Sequence, residues 1–75
     1  MSLVYESYPE RMARLIKEET IVEPDAHLLV ATWRDCTIWM DPKTFQVIEG
    51  ENCAPGSIVA LGMARVAKKQ LTKEG

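Results

Sequence analysis

The feature that most constrains the fold is an apolar hairpin in the middle of the chain. Leu28, Leu29, Val30 and Ala31 form an unbroken apolar run, and it is followed closely by Trp33, Cys36, Ile38, Trp39 and Met40. A half-exposed strand alternates apolar and polar residues, because successive side chains point to opposite faces of the sheet. This hairpin does not alternate. It therefore predicts burial on both faces, in a chain with few residues left to cover them.

The length of the chain favours assembly as the way to cover the hairpin. Seventy-five residues make one domain, residues 1–75, and a domain of this size buries only about 60 % of its unfolded surface. Disulfides, a metal ion or oligomerisation usually compensate. Cys36 and Cys53 make neither a disulfide framework nor a C-x-x-C motif, so we expect reduced thiols and a homodimer or higher oligomer.

Charge and hydropathy weigh against several other classes of protein. Nine Lys and Arg against eleven Asp and Glu give a formal charge of −2, which offers no general attraction to nucleic acid. The sequence has no apolar run of about twenty residues and no basic-then-apolar leader, so we expect no membrane partner. A cytoplasmic protein is the expectation.

The residue pattern predicts an α+β fold. We expect a helix, an antiparallel β-meander of two to three strands and a C-terminal helix, with both helices on one face of the sheet. The first helix is expected over residues 9–19, because Ser7 and Glu10 form a capping box and Pro9 suits the first turn. After a β-prone link at residues 20–22, strands are expected at residues 27–33, 36–40 and 45–48.

The last helix is expected over residues 57–71, after a loop at residues 50–56. Its first half is apolar on every side, which is typical of a helix that is buried on every side. The residues expected to be mostly buried are Leu15, Ile16, Leu29, Val30, Ile38, Val59, Leu61 and Met63.

No residue set in the chain predicts catalysis, a cofactor or a metal site. Cys53 lies shortly before the last helix, whose N-terminus could lower its thiol pKa, although a small loop hydrophobe is the commoner role. A Cys–His pair would need the fold to bring the only histidine, His27, to Cys53. Cys36, Cys53 and His27 match no metal-ligand spacing. Cys53 is kept as a candidate reactive thiol, and the chain alone is expected to be catalytically inert.

The acidic residues of the hairpin region are assigned to turns rather than to catalysis. Asp25, Asp35 and Asp41 all lie where a carboxylate can bond to the local backbone, so a catalytic carboxylate pair is not expected. Gly56-Ser57 could bind an anion at the start of the last helix, but a helix cap is the more common role of serine there.

A basic cluster stands at the C-terminal end of the last helix. Arg65, Lys68 and Lys69 gather there with Lys73, where cations complement the helix dipole. Arg65, Lys68 and Lys69 form a candidate contact surface for phosphate or an acidic partner.

The hairpin supplies the candidate oligomer interface. Two short helices can cover about one sheet face, and leaving the other exposed creates a patch larger than soluble monomers usually tolerate. Tryptophan is also enriched at binding hot spots. The candidate interface residues are Leu28, Val30, Trp33, Ile38 and Trp39. Which of the two alternating side-chain sets faces a partner is open at this point, and a twofold dimer is the simplest assembly.

The segment HLLVATWRDCTIWMDPKTFQVIEGENCAPGSIVALGMARVAKK resembles the second half of a proteasome-type subunit, an N-terminal nucleophile hydrolase. In that family a strand pair leads through a small-residue loop to a Gly-Ser step and an alanine-rich helix. The comparable places here are held by Gly56-Ser57, Ala60, Gly62 and Ala64. The resemblance implies helices on an antiparallel sheet whose other face packs against a second sheet. The family's N-terminal threonine and supporting lysine have no counterpart here, so no catalytic residue is carried over.

Three functions from different classes are open at this point. The first is a non-enzymatic, self-associating domain, such as a bacterial or phage accessory protein. The second is an enzyme, either a thiol hydrolase or a degenerate proteasome-type relative, and it requires a pocket with a nucleophile and a base. The third is a binder of nucleic acid or of an acidic partner through Arg65, Lys68 and Lys69, and it predicts polyanion binding that falls steeply with salt.

Overall fold

The structure, a computed structural model, describes residues 7–72 and has the α+β fold. In chain order, one helix precedes and one follows a four-stranded antiparallel sheet with strand order β1-β2-β3-β4. The elements are α1 (Tyr8–Glu19), β1 (Ile21–Asp25), β2 (Leu28–Trp33), β3 (Cys36–Met40), β4 (Val47–Glu51) and α2 (Ile58–Thr72). Lys73 of the predicted basic cluster lies outside the described residues.

The predicted capping box opens α1. The Ser7 hydroxyl accepts a hydrogen bond from the Glu10 backbone N–H, and the Glu10 carboxylate accepts one from the Ser7 backbone N–H. Pro9 lies in the first turn, where a missing N–H leaves no helical bond unmade. Arg14 and Glu18, four residues apart, form an ion pair at 3.5 Å on the exposed side of the helix. The sequence therefore predicts this helix to within one residue.

The sheet has one strand more than the sequence predicts. Residues 21 and 22 of the expected link, with the three residues after them, pair with β2, for example Val22 with Ala31 and Glu23 with Val30. Pro24 lies inside this strand and cannot donate a ladder hydrogen bond, which is tolerated because β1 is an edge strand. Because proline is rare inside strands, the sequence pattern did not predict this strand.

The last strand starts later than the sequence predicts, because the turn before it is longer. Asp41 opens the turn, and its backbone carbonyl accepts a hydrogen bond from the Phe45 N–H at 2.8 Å. Phe45 has a φ of 62°, which is a turn conformation and not a strand one. β4 therefore begins at Val47, with a register shift opposite Trp39 and Met40.

The core lies between the helices and one face of the sheet. The burial of Ile16, Leu29, Ile38 and Met63 is confirmed, and Leu15, Val30 and Val59 are half-buried. The expectation for Leu61 is wrong, because this side chain is 50 % exposed. Only one side of α2 packs on the sheet, so its apolar first half is not buried all round. The remaining core residues are Ala31, Trp33, Cys36, Met40, Ala60, Ala64 and Ala67.

Contacts at the middle and at the end of α1 join this helix to the rest of the molecule. Ile16 packs beside Gly62 of α2, where an added Cβ would lie 3.4 Å from the isoleucine Cδ1. At the end of α1 the Glu19 carboxylate accepts hydrogen bonds from Trp33 Nε1 and Arg34 Nε, both at 3.0 Å. The Arg34 guanidinium also stacks 4.7 Å from the centre of the Trp33 ring. Because Trp33 points into the core, α1 lies on the same side of the sheet as α2.

Candidate functional site

The face of the sheet that points away from the helices is apolar at its centre. Residues paired across antiparallel strands share a face. Val30 pairs with Trp39, and Leu28 and Thr32 stand on the same side of β2 as Val30. These side chains are half-buried, and no element in residues 7–72 covers them. We call this surface, formed by Leu28, Val30, Thr32, Thr37 and Trp39, the open sheet face.

Acidic side chains border the open sheet face on both edges. On β1, Glu23 pairs with Val30 and Asp25 with Leu28. On β4, Glu49 pairs with Trp39 and Glu51 with Thr37. The four strands contain no Lys or Arg. The surface is therefore an apolar strip with two carboxylates at each edge, and the β1 edge also carries the exposed Ile21, which pairs with Thr32.

The structure divides the predicted interface residues between the two sheet faces. Leu28, Val30 and Trp39 lie on the open sheet face. Trp33 and Ile38 are on the other face, in the core, with exposures of 6 % and 0 %. Including those two in the interface is therefore wrong. The alternation along each strand separates the two sets, and the sequence did not reveal which set faces the helices.

A groove with a cavity volume of about 670 Å³ runs between α1 and α2 on the helical side. Small and apolar residues of its lining, which we call its floor, are Ala13, Ile16, Gly62 and Val66, and the polar residues Gln70 and Thr72 also line it. Lys17 of α1 and Arg65 and Lys69 of α2 also line it, and all three are exposed. Among the described residues 7–72, no acidic residue lines this groove. We call it the cationic groove.

The cationic groove contains part of the predicted basic contact surface. Arg65 and Lys69 line it, whereas Lys68 is exposed but outside the lining. Lys17 was not among the predicted contact residues, because its proximity to α2 depends on helix packing. A signal was present in the sequence: Ala13 and Gly62 are small residues, which permit a depression at a helix–helix contact.

The two cysteines form a disulfide, which differs from the expectation of reduced thiols. Cys36 begins β3, and Cys53 lies in the loop after β4, with 5.6 Å between their Cα atoms. In this state Cys53 is not a free nucleophile. His27 is in the β1–β2 turn, at the opposite end of β2 from Cys36. The structure therefore does not bring the histidine to the cysteine pair.

The aspartate that opens the 41–44 turn has a structural role. The Asp41 carboxylate accepts hydrogen bonds from the backbone N–H groups of Lys43 and Thr44, at 2.7 and 3.1 Å. These bonds, with a smaller contribution from the Lys43 charge, lower the pKa of Asp41 below its ordinary value. Within residues 7–72, no group of three or more His, Cys, Asp or Glu side chains is arranged to hold a metal ion.

Ser57 acts locally at the start of α2. Its hydroxyl accepts a hydrogen bond from the Ala60 N–H at 3.2 Å and donates one to the Ala54 carbonyl at 2.7 Å. The predicted helix cap is therefore present, and the hydroxyl is already used by the chain itself.

The wider context adds two findings. Neither of the helices described between residues 7 and 72 has the length and apolar character needed to cross a bilayer. Comparison of the chain with protein-family models, with curated proteins and with solved structures found no match.

Proposed function

We propose that this chain is a non-enzymatic interaction domain that associates with copies of itself through the open sheet face. The observation that carries the proposal is the position of Val30 and Trp39. These large apolar side chains lie at the centre of a sheet face that no element in the described part of the chain covers. Apolar patches of this kind mark interaction surfaces in soluble proteins.

An interface of standard size would supply enough apolar burial for self-association. A standard interface buries about 800 Å² per partner, a little over half of it apolar. At about 25 cal/mol per Å², this gives on the order of 10 kcal/mol of gross apolar burial per chain. Losses of translational freedom and side-chain ordering offset much of it. The remainder is comparable with the folding stability of a small domain, so association would also stabilise the fold.

A degenerate proteasome-type relative is the second candidate. Helices on one face of an antiparallel sheet, with an apolar opposite face, are what that resemblance implies. In this case a second sheet covers Val30 and Trp39. A structure of the assembly with two sheets packed face to face supports this candidate, and one with helices on the open sheet face argues against it.

We propose a cytoplasmic location for the chain, and the cysteine pair offers a test. Disulfides persist mainly in oxidising compartments, so in the cytoplasm Cys36 and Cys53 would be held as a dithiol. Cells are quenched in acid to stop thiol exchange, and their protein is then treated with an alkylating reagent at neutral pH. In a cytoplasmic chain, this reagent should label both cysteines. Resistance to labelling until a reductant is added would instead indicate an oxidising compartment.

The self-association test measures solution mass by light scattering over a range of concentrations. The wild-type mass should exceed the 8.5 kDa of one chain at micromolar concentration. Val30→Asp and Trp39→Asp each put a charge at the centre of the open sheet face, so each should return the mass to 8.5 kDa. Ile58→Asp is the matched control, since Ile58 is 87 % exposed on α2. A wild-type monomer at all concentrations would contradict the proposal.

A further inference from the structure

We infer that the association is head-to-tail: the open sheet face of one copy docks on the cationic groove of the next. This inference rests on the proposed function, because it specifies which surface of the second copy covers Val30 and Trp39. It differs from the twofold dimer that is the simplest expectation. The two surfaces lie in opposite layers of the molecule, so the contact is heterologous.

Charge argues against pairing the open sheet face with itself. Every ionisable group on the four strands is a carboxylate, and the ones on this face stand at both edges. A twofold axis between two such faces lies parallel to the sheets. Such an axis places the acidic β1 edge of one copy opposite either the β1 edge or the β4 edge of the second copy, and both of these edges are acidic. Both arrangements bring like charges together at the rim, which costs binding energy and slows encounter.

The cationic groove has the charge that the open sheet face lacks. Lys17 stands on its α1 side, and Arg65 and Lys69 on its α2 side. The groove floor between them is apolar, as is the strip between the two acidic edges. The two surfaces therefore share one layout, apolar at the centre and charged on both sides, with opposite signs. Such complementarity favours specific association and rejects wrong partners.

The dimensions of the two surfaces agree. One cross-strand row runs Glu23, Val30, Trp39, Glu49, and three strand spacings place its end residues about 14 Å apart. Packed helices lie about 8–10 Å apart, and rim side chains extend several ångströms beyond each axis. Trp39 is one of the two central residues of its row, so docking in this arrangement would place its ring over the groove floor. A cavity of about 670 Å³ has room for this side chain.

A complementation experiment tests the inference. Trp39→Asp disables the open sheet face and leaves the groove intact. The double substitution Arg65→Glu, Lys69→Glu disables the groove at two exposed positions and leaves the open sheet face intact. Each variant alone should be monomeric. Their equimolar mixture should give a complex of twice the 8.5 kDa chain mass, because one working copy of each surface remains.

A charge swap provides the second variant, in case Trp39→Asp fails to fold. Glu23→Lys with Glu49→Lys changes two exposed side chains and leaves the core untouched. This variant alone should be monomeric, and mixing it with the Arg65→Glu, Lys69→Glu variant should restore association. Circular dichroism confirms that each variant is folded before it is mixed.

The outcomes separate this inference from the proposed function. Association of the wild type without complementation in either mixture would overturn the head-to-tail contact and leave self-association standing. Self-association of the Arg65→Glu, Lys69→Glu variant as strong as that of the wild type would have the same meaning. A monomeric wild type would overturn both.

Discussion

Ala26 and Arg34 occupy the same kind of position in two tight turns, yet their side chains have different roles. Each is the first residue of a two-residue turn between paired strands, with φ of 58° and 56°. This left-handed conformation costs an L-residue roughly 1–2 kcal/mol and suits glycine. Ala26 has no larger side chain to compensate, whereas Arg34 bonds to Glu19 and stacks on Trp33.

We therefore expect opposite effects from glycine at the two turns. Ala26→Gly should stabilise the fold by about 0.5–1 kcal/mol, since the strain it removes exceeds the entropy that glycine adds to the unfolded chain. Arg34→Gly should destabilise it, because the contacts to α1 are lost. Urea denaturation of both variants measures the difference. A less stable Ala26→Gly variant would show that the turn is not strained.

The Asp41 carboxylate should make stability depend on pH. Its pKa in the folded chain is lowered, so it contributes stability above its ordinary pKa of 3.8, and this is lost as the pH falls through the folded value. Asp41→Asn should therefore lower the melting temperature at neutral pH, and the difference from wild type should shrink in acid. A difference that is constant with pH would contradict this role.

At the scale of whole elements, sequence reasoning succeeded where local chemistry decides the outcome. The capping box fixes the start of α1, and the apolar hairpin fixes β2 and β3. It failed where partners distant in sequence decide. β1 forms because β2 provides the backbone groups with which it pairs. Pro24 is tolerated because β1 is an edge strand, and no described strand pairs with its other edge. The same limit applies to Cys36 and Cys53, whose proximity requires β4 to return beside β3.

In the disulfide-bonded chain, closure of the loop between Cys36 and Cys53 should stabilise the last strand. The sequence separation is 17, and closing a loop of about this length contributes roughly 3 kcal/mol by restricting the unfolded chain. Cys36→Ala with Cys53→Ala should lower stability by about that amount. Reduction of the wild type should have a similar effect, and the alanine variant is the control because a reductant should not change it.

Gly50 adds a second constraint to the same loop. A Cβ atom at this position would clash with the Cys53 carbonyl oxygen, which shows that the backbone of the loop passes close to β4. Only glycine permits so close an approach. Gly56 has nothing near its Cβ position. The two glycines therefore show that the first half of the loop is fixed against the sheet, whereas Gly56 is not restricted by packing.

At the scale of the molecule, charge is divided between the layers. The described part of α1 and α2 contains six basic residues and three acidic ones. The strands contain acidic residues and no basic ones. A net charge near zero therefore conceals opposite charges on the two layers. Composition alone could not show this, because it depends on which strand residues share a face.

This division predicts how salt should affect association of the wild-type chain. If the open sheet face docks on the cationic groove, opposite charges meet across the contact, and screening should weaken it. Raising ionic strength from about 0.1 M to about 1 M shortens the Debye length from about 10 Å to about 3 Å. We expect the dissociation constant, measured by sedimentation, to rise several-fold. A contact between two acidic faces would instead tighten with salt, because screening removes the repulsion between their carboxylates. The direction of the salt effect therefore distinguishes the two arrangements without any substitution in the chain.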